Sequence, residues 1–269
     1  MLNRIISRKN RILLSEMIKT DFKLRYQGSV LGYVWSLLKP LMLFAIMYTV
    51  FTQFLKIGKG IPNYAVSLLL GLVLWNFFNE ATSSALTSIV DRGSLIRKIN
   101  IPRYLIPISS IASAFINMLF NLIVVFAFAI PAHNKPISFI TPVEVPLLLI
   151  ELIVMTVSVS FFLSALYVKY RDIEHIWDVF KQALFYLSVI IFPLSKVSSV
   201  KIQKLLLLNP VAQIVQDARS VLTYGETPTL NGLYANRFVM AVPLGLIALA
   251  LIVGGLYFKK TSKFFAEEV

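Results

Sequence analysis

The sequence predicts an all-α integral membrane protein with six transmembrane helices, an N-terminal amphipathic interfacial helix and re-entrant helices before the last span. Three observations predict it. Of 269 residues, 57% are hydrophobic and only 14% charged, with a mean hydropathy of +0.76; soluble domains run about 45–50% apolar and about 25% charged. A soluble chain must cover a large wet surface, so this apolar excess points to lipid as the solvent. Six long apolar segments recur along the chain, each near the roughly 20 residues that a spanning helix needs. Basic residues bunch in the short stretches between them, as topology control by anionic headgroups requires.

Residues 1–29 are polar and basic. Ile12, Leu13, Met17, Ile18 and Phe22 follow helical spacing, with Arg11, Ser15, Lys19 and Lys23 opposite. The pattern reads as a helix lying in the membrane interface or as an ordinary surface helix, and the span that follows directly favours the interface. A cleavable signal would place a short apolar stretch closer to Met1, so none is expected. The apolar segments fall at about 31–55, 65–90, 105–130, 145–168, 175–193 and 238–258. In the fifth, Asp178 and Lys181 occupy the first turns, where they can sit at headgroup level. Between the fifth and sixth, 194–236 holds Leu205 to Leu208, then Asn209-Pro210, then a helical pattern from Val211 to Leu222 and Gly225 after it. Each piece is too short to span, which suits re-entrant or interfacial helices or an external helical hairpin. One membrane domain, 1–269, is expected: the amphipathic segment 1–29, the spans within 30–258, and a tail, 259–269.

Lys and Arg set the orientation. With the amino terminus inside, the segments 1–29, 91–104, 169–181 and 259–269 hold 7, 4, 3 and 3 of them, against 2, 1 and 5 in 56–63, 131–142 and 194–237. The short loops favour both termini in the cytoplasm, the last external segment being long enough to obey the rule only weakly. The formal charge of +13 therefore reads as membrane topology and lipid contact rather than as nucleic-acid binding.

Several chemistries are excluded. There is no Cys, hence no disulfide, thiolate metal site or Cys nucleophile. No G-x-x-x-x-G-K-[ST] loop is present; Gly58-Lys59-Gly60 lacks the spacing and reads as a turn. His133 and His175 fall in loops of opposite sidedness and cannot share a metal; His175, beside Asp172, Glu174 and Asp178, reads as a polar helix start. Glu80 and Glu151 lie inside spans, where charge is costly. They serve either as a proton relay in a secondary transporter or as partners of polar groups on neighbouring helices, such as Asn117 or Asn121, and two isolated acids on different spans favour the second. Aromatic residues crowd the first span and its approach: Tyr26, Tyr33, Trp35, Phe44, Tyr48, Phe51 and Phe54. They suit an interfacial belt or a sugar-lined path. The segment Asp91 to Arg103 alternates apolar and basic residues, which suits either a short amphipathic helix, stopped by Pro102, that docks a cytoplasmic partner or a charged loop that fixes topology.

Asp21-Phe22-Lys23-Leu24-Arg25-Tyr26-Gln27-Gly28-Ser29-Val30-Leu31-Gly32-Tyr33-Val34-Trp35, followed by Lys39-Pro40, resembles the entry signature of the polysaccharide-exporting ABC transporter permeases (the type 2 family), which carry O-antigen, capsule, teichoic acid or rhamnose-rich wall polysaccharide. Leu95-Ile96-Arg97-Lys98 with Pro102-Arg103, Tyr170-Arg171-Asp172-Ile173 and Asn209-Pro210 resemble later motifs of the family, in order. The resemblance implies a homodimer in the bacterial cytoplasmic membrane, with two ATPase subunits on the cytoplasmic face. It gives the chain no enzymatic activity and no cofactor of its own, ATP and Mg being bound by the partner. It makes Arg92, Leu95, Ile96, Arg97, Lys98, Pro102 and Arg103 the ATPase-coupling residues and Tyr170, Arg171 and Asp172 a second cytoplasmic contact. It also puts Arg25, Tyr26, Tyr33, Trp35, Tyr48 and Phe51 along the path of a lipid-linked polysaccharide. At about 100° per residue, positions 48 and 51 share a helix face while 33 and 35 do not. An ABC exporter of lipids or drugs would share the fold, and a proton-coupled transporter using Glu80 and Glu151 is the reading from another class.

Overall fold

The structure, a computed structural model, describes residues 7–25, 28–56, 63–99, 101–132, 141–222, 227–234 and 237–268. Every regular element among them is helical: α1 (Arg8–Arg25), α2 (Trp35–Thr49), α3 (Tyr64–Asp91), α4 (Gly93–Lys98), α5 (Leu105–Ala132), α6 (Thr141–Lys169), α7 (Ile173–Leu187), α8 (Val200–Leu206), α9 (Pro210–Leu222), α10 (Leu230–Leu233), α11 (Ala241–Thr261) and α12 (Phe265–Glu268). A 3₁₀ turn, Gly32–Val34, leads into α2, and a π-helical turn, Val50–Phe54, continues it.

Five of these stretches are long and apolar enough to cross a membrane: Gly32–Phe54, Tyr64–Asp91, Leu105–Ala129, Val143–Lys169 and Ala241–Thr261. Their ends lie within a few residues of those the apolar runs predict. The fifth expected segment differs. α7 has 15 residues, about 22 Å of helix, against a hydrocarbon thickness of about 30 Å. It ends because Ser188 leaves the helix and Val189 turns back at φ +55°, a conformation that a β-branched residue rarely adopts.

α3 is the axis of the bundle. Most of its residues are buried, Leu68, Leu72, Phe77, Phe78, Ala81, Ala85 and Leu86 among them, and it packs on α5, α6 and α9. The Gly32–Phe54 stretch is the opposite case, with none of its most apolar window buried against 78% for α3. It lies on the flank of α3 and α5. α11 packs along α6 through Gly254, where an added Cβ would run into the Ser158 carbonyl; small residues at such contacts let two helices in lipid approach closely. Gly255, one position on, faces open space. Gly254→Ala should therefore cost about 1–3 kcal/mol through overpacking, read as a lower Tm in detergent. Gly255→Ala should leave Tm unchanged or slightly raised, since Ala favours helix over Gly.

At one end of the bundle Met17 of α1, Ile96 of α4, Ile106, Val168, Phe258 and Phe265 of α12 form a separate apolar cluster. The tail expected at 259–269 is thus docked: Phe265 is fully buried, its ring edge-on to Phe258 at 5.5 Å. The opposite end is closed by Val189, Leu194, Leu207, Ala212 and Leu230. There Asn209 caps α9, its side chain accepting from the Val211 amide at 3.1 Å while Pro210 stands in the first helical position. The Asn-Pro pair is a helix start for that reason.

Candidate functional site

A polar stripe runs along α3. Asn76, Asn79, Glu80, Ser83, Ser84, Thr87, Ser88 and Asp91 recur at spacings of three and four, the period of one helix face. Ser110, Ser113, Asn117 and Asn121 do the same on α5. The packing of α5 on α3 turns the two stripes toward each other, and they line two adjoining cavities. The larger, about 520 Å³, is bounded by Asn76, Asn79, Glu80, Ser83 and Ser84 of α3, Asn117 and Asn121 of α5, Lys181 of α7, and Trp35, Ser36 and Lys39 of α2. The smaller, about 250 Å³, is bounded by Ser84, Thr87, Ser88, Asp91 and Arg92, with Ser110, Ser113 and, from α1, Asp21 and Leu24. Ser84 borders both. From Asp91 to Asn76 the stripe covers about 22 Å of helix, most of a bilayer's hydrocarbon thickness.

Hydrogen bonds tie the cavity walls together. The Asn117 amide donates to Glu80 at 3.0 Å, joining α5 to α3. Asn121 donates to the carbonyl of Ser36 at 3.2 Å, joining α5 to α2. Lys181 donates to Ser83 and pairs with Asp178 at 2.8 Å. Its residue is 8% exposed, so it faces protein rather than headgroups, contrary to the sequence expectation. The pattern of α7 explains this, because Lys181 falls one turn after the buried Trp177, on the side turned to α3, while Ile176, Val179 and Phe180 are exposed.

Glu80 thus pairs with Asn117, as the reading of its neighbours anticipates. Glu151 does not reach Asn117 or Asn121; it lies beside Gln213 and Asp217 of α9. The two acids therefore sit in separate surroundings, with no shared relay among the described residues.

The residues marked for partner contact separate into two groups. Arg97 and Lys98 are exposed on α4, whereas Leu95 is half-buried and Ile96 buried. Arg92 turns inward. It pairs with Asp21 of α1 and donates to Ser109 at 2.8 Å and to the Ile106 carbonyl at 3.3 Å. Arg103 donates to the Ser262 carbonyl, tying the segment after α4 to the docked tail. α4 ends at Lys98, before Pro102, which is partly buried. Tyr170 is half exposed, with Lys169 over its ring at 5.3 Å. Arg171 stands over Tyr167 at 5.2 Å, and Asp172 precedes α7 as its N-cap residue without a side-chain cap bond.

Of the aromatic residues, Trp35 lines the larger cavity. Tyr33 does not, and instead stacks on Phe22 of α1 at 5.0 Å. Tyr48 and Phe51 both pack on the apolar core of this chain, Tyr48 against Tyr64 at 6.4 Å. Tyr26 and the Arg25 side chain lie outside the described residues, as do His133, Gly225 and the turn expected at Gly58–Gly60. The stripe itself escaped the sequence reading, which weighed Glu80 and Glu151 as partners of Asn117 or Asn121 and went no further along the helix. Its signal was the recurrence of hydroxyl and amide residues every three or four positions inside two apolar segments.

Fold and site together define a multi-span helical membrane protein with two polar cavities along its most buried helix. The chain belongs to the ABC-2 type transporter family, whose description matches residues 13–223. Among curated proteins it is similar to the O-antigen export system permease protein RfbA of Klebsiella pneumoniae, two forms of which are 27% and 29% identical, each over 95% of this chain and 94% of its own length. It is also similar to the protein of the same name from Myxococcus xanthus, 25% identical over 87% of this chain and 89% of that one.

Proposed function

We propose that this chain is the membrane-spanning subunit of an ATP-driven exporter that moves a lipid-linked cell-surface polysaccharide outward. In this reading it works as a homodimer with two separate ATPase subunits, in the bacterial cytoplasmic membrane. The observation that carries it is the pair of polar cavities along α3. A glycan cannot cross hydrocarbon unaided, because its hydroxyls would lose water with no replacement partners; hydroxyls and amides along the stripe supply those partners. The names of the relatives support the class of cargo. α7 with the turn after it makes the fifth of six crossings, and 196–222 folds back into the outer leaflet beside it.

The exposed first span supports the homodimer. The polar cavity is walled on that side by α2, whose own residues are nowhere buried, and Trp35 and Lys39 stand exposed at its rim. Polar groups are costly against lipid, so a second copy covers this side. α4 presents Arg97 and Lys98 from a base fixed by Ile96, Phe265 and Arg92, and this firm mount suits an ATPase-docking element. Motion at α4 then passes to α3, which it directly follows.

Replacing Arg97 and Lys98 together with Glu should leave the protein in the membrane, release the cognate ATPase on purification and cut surface glycan at least tenfold, because charge reversal at a docked surface leaves partner charges repelled or unpaired. Normal docking and export by this variant, or ATP hydrolysis by the permease alone, would reject the reading.

A further inference from the structure

An apolar groove lies away from the polar stripe. α7 packs on α3 and α6, and α11 packs on α6. Between α7 and α11 this leaves a gap of about 570 Å³, within the range of about 300–1,000 Å³ typical of ligand sites. Trp177 and Phe180 of α7 bound it on one side and Ala250 and Val253 of α11 on the other. The polar side chains in its wall are already engaged. Ser158 donates to the Val154 carbonyl at 2.6 Å, Trp177 Nε1 to Thr82 at 3.3 Å and Asn209 to Ser188 at 3.0 Å. A sugar would find no partners here, and neither would ordered water, which needs several polar contacts. Phe180 is 53% and Val253 46% exposed within this chain, so the groove opens sideways between spans, where hydrocarbon lies.

We propose that this groove holds one acyl chain of an anionic phospholipid of the cytoplasmic leaflet, with the headgroup phosphate at Lys169 and Lys260. Length points to that occupant. Along α6 the groove runs from Met155 to Leu166, about 16 Å of helix, which is one leaflet's share of a hydrocarbon layer about 30 Å thick. Charge fixes its orientation. α6 and α11 run side by side in the same direction, with Gly254 against Ser158 and Tyr257 against Phe162 at 5.4 Å. Lys260, three residues after Tyr257, therefore comes level with the last groove residues of α6. Lys169 follows Leu166 by three residues, one turn further on the same stripe. Both lysines are exposed, and neither is in an ion pair among the described residues. Arg171 stands at the same end; of the acids there, Glu174 already accepts from the Tyr167 hydroxyl at 3.1 Å. Basic groups at this depth attract anionic headgroups. The inference rests on the proposed function only for which end of α6 faces the cytoplasm.

The test uses the intact permease–ATPase complex in phosphatidylcholine nanodiscs that contain a rising fraction of one dibrominated lipid, either phosphatidylglycerol or phosphatidylcholine. Bromine on an acyl chain quenches a tryptophan it touches, and Trp177→Phe sets the background from all other tryptophans. Quenching that depends on Trp177 should reach half its limit at a phosphatidylglycerol fraction at least fivefold below that needed for phosphatidylcholine. The double variant Lys169→Glu/Lys260→Glu should abolish that preference while quenching persists. Ala250→Phe, which fills the groove from α11, should at least halve the quenching by both lipids. Equal half-quenching fractions for the two lipids in the wild type would reduce the groove to ordinary boundary contact and overturn the site. Absence of any Trp177-dependent quenching would overturn it as well. Relief of quenching by added lipid-linked glycan would assign the groove to the carried lipid and overturn the phospholipid assignment. Disulfide cross-linking of Ile176→Cys between two copies in the membrane would show that a second copy covers the groove, and would also overturn it. None of these readouts uses ATP turnover or export, so their failure leaves the export reading standing, and loss of the export reading leaves the quenching results in place.

Discussion

Arg219→Leu should cost the protein about 3–5 kcal/mol, the loss expected when several buried acceptors lose one shared charged donor, at about 1–3 kcal/mol each. In thermal unfolding followed by size-exclusion chromatography this corresponds to a Tm drop of about 10 °C, with much of the protein aggregating on extraction. Arg219 is 3% exposed and sits where α9 meets α3 and the turn after α7. Its Nε donates to the Ser67 carbonyl at 2.9 Å. The terminal nitrogens reach the carbonyls of Val189, at 2.7 Å, and Ile190, and the Gln216 side chain at 2.9 Å. A guanidinium is suited to this because it offers five donors in a rigid plane. Val189 and Ile190 belong to the turn in which Val189 holds φ +55°, and such strain persists only where the surroundings over-determine it. Removing the guanidinium takes the donor from the Val189 and Ile190 carbonyls and frees that turn. Lys has one nitrogen and cannot replace the fork, so Arg219→Lys should be nearly as damaging. Gly71 belongs to the same arrangement, since a Cβ there would strike the guanidinium. An Arg219→Leu protein as stable as the parent would show that the turn is held by its apolar contacts alone.

That network explains where the sequence was and was not legible. The long helices were legible because lipid imposes the same demand at every position, so runs of apolar residues mark α3, α5, α6 and α11 directly. The end of α7 was hidden. Its stopping point depends on a Val at positive φ, which has no sequence signature, and on an Arg 30 residues further along the chain. Lys181 was misplaced for a related reason. A lysine near the start of an apolar run looks like a headgroup anchor, and only the rotation of α7 against α3 shows that it points inward. The 100° rule spoke only to whether Tyr48 and Phe51 share a face; that both pack on the apolar core is a matter of packing. The polar stripe was legible in principle, since Ser110, Ser113, Asn117 and Asn121 repeat with helical period inside an apolar segment. The Asn117–Glu80 contact was among those expected, and choosing Asn117 over Asn121 required knowing how α5 lies against α3.

The ion pair between Asp21 and Arg92 links the first helix to the turn from which α4 starts, and a charge-swap cycle should reveal it as a functional coupling. Both side chains are largely covered, at 17% and 21% exposure, so the pair is shielded more than a surface bridge. Arg92 precedes α4 directly and also holds Ser109 and the Ile106 carbonyl of α5, so movement of α4 reaches α1 and α5 through one side chain. Asp21→Arg would set two guanidinium groups against each other, and Arg92→Asp would set two carboxylates together. Each single change should reduce export, measured as surface glycan per copy of permease, at least tenfold, with the protein still in the membrane. The double variant Asp21→Arg/Arg92→Asp restores the attraction without the bonds to α5, so it should recover export to within about threefold of wild type. The corresponding interaction energy is at least about 2 kcal/mol, inside the range measured for residues that share one network. If the two single losses simply add, α1 and α4 move independently, and coupling between them runs through the packing of Met17 and Ile96 on their shared apolar cluster.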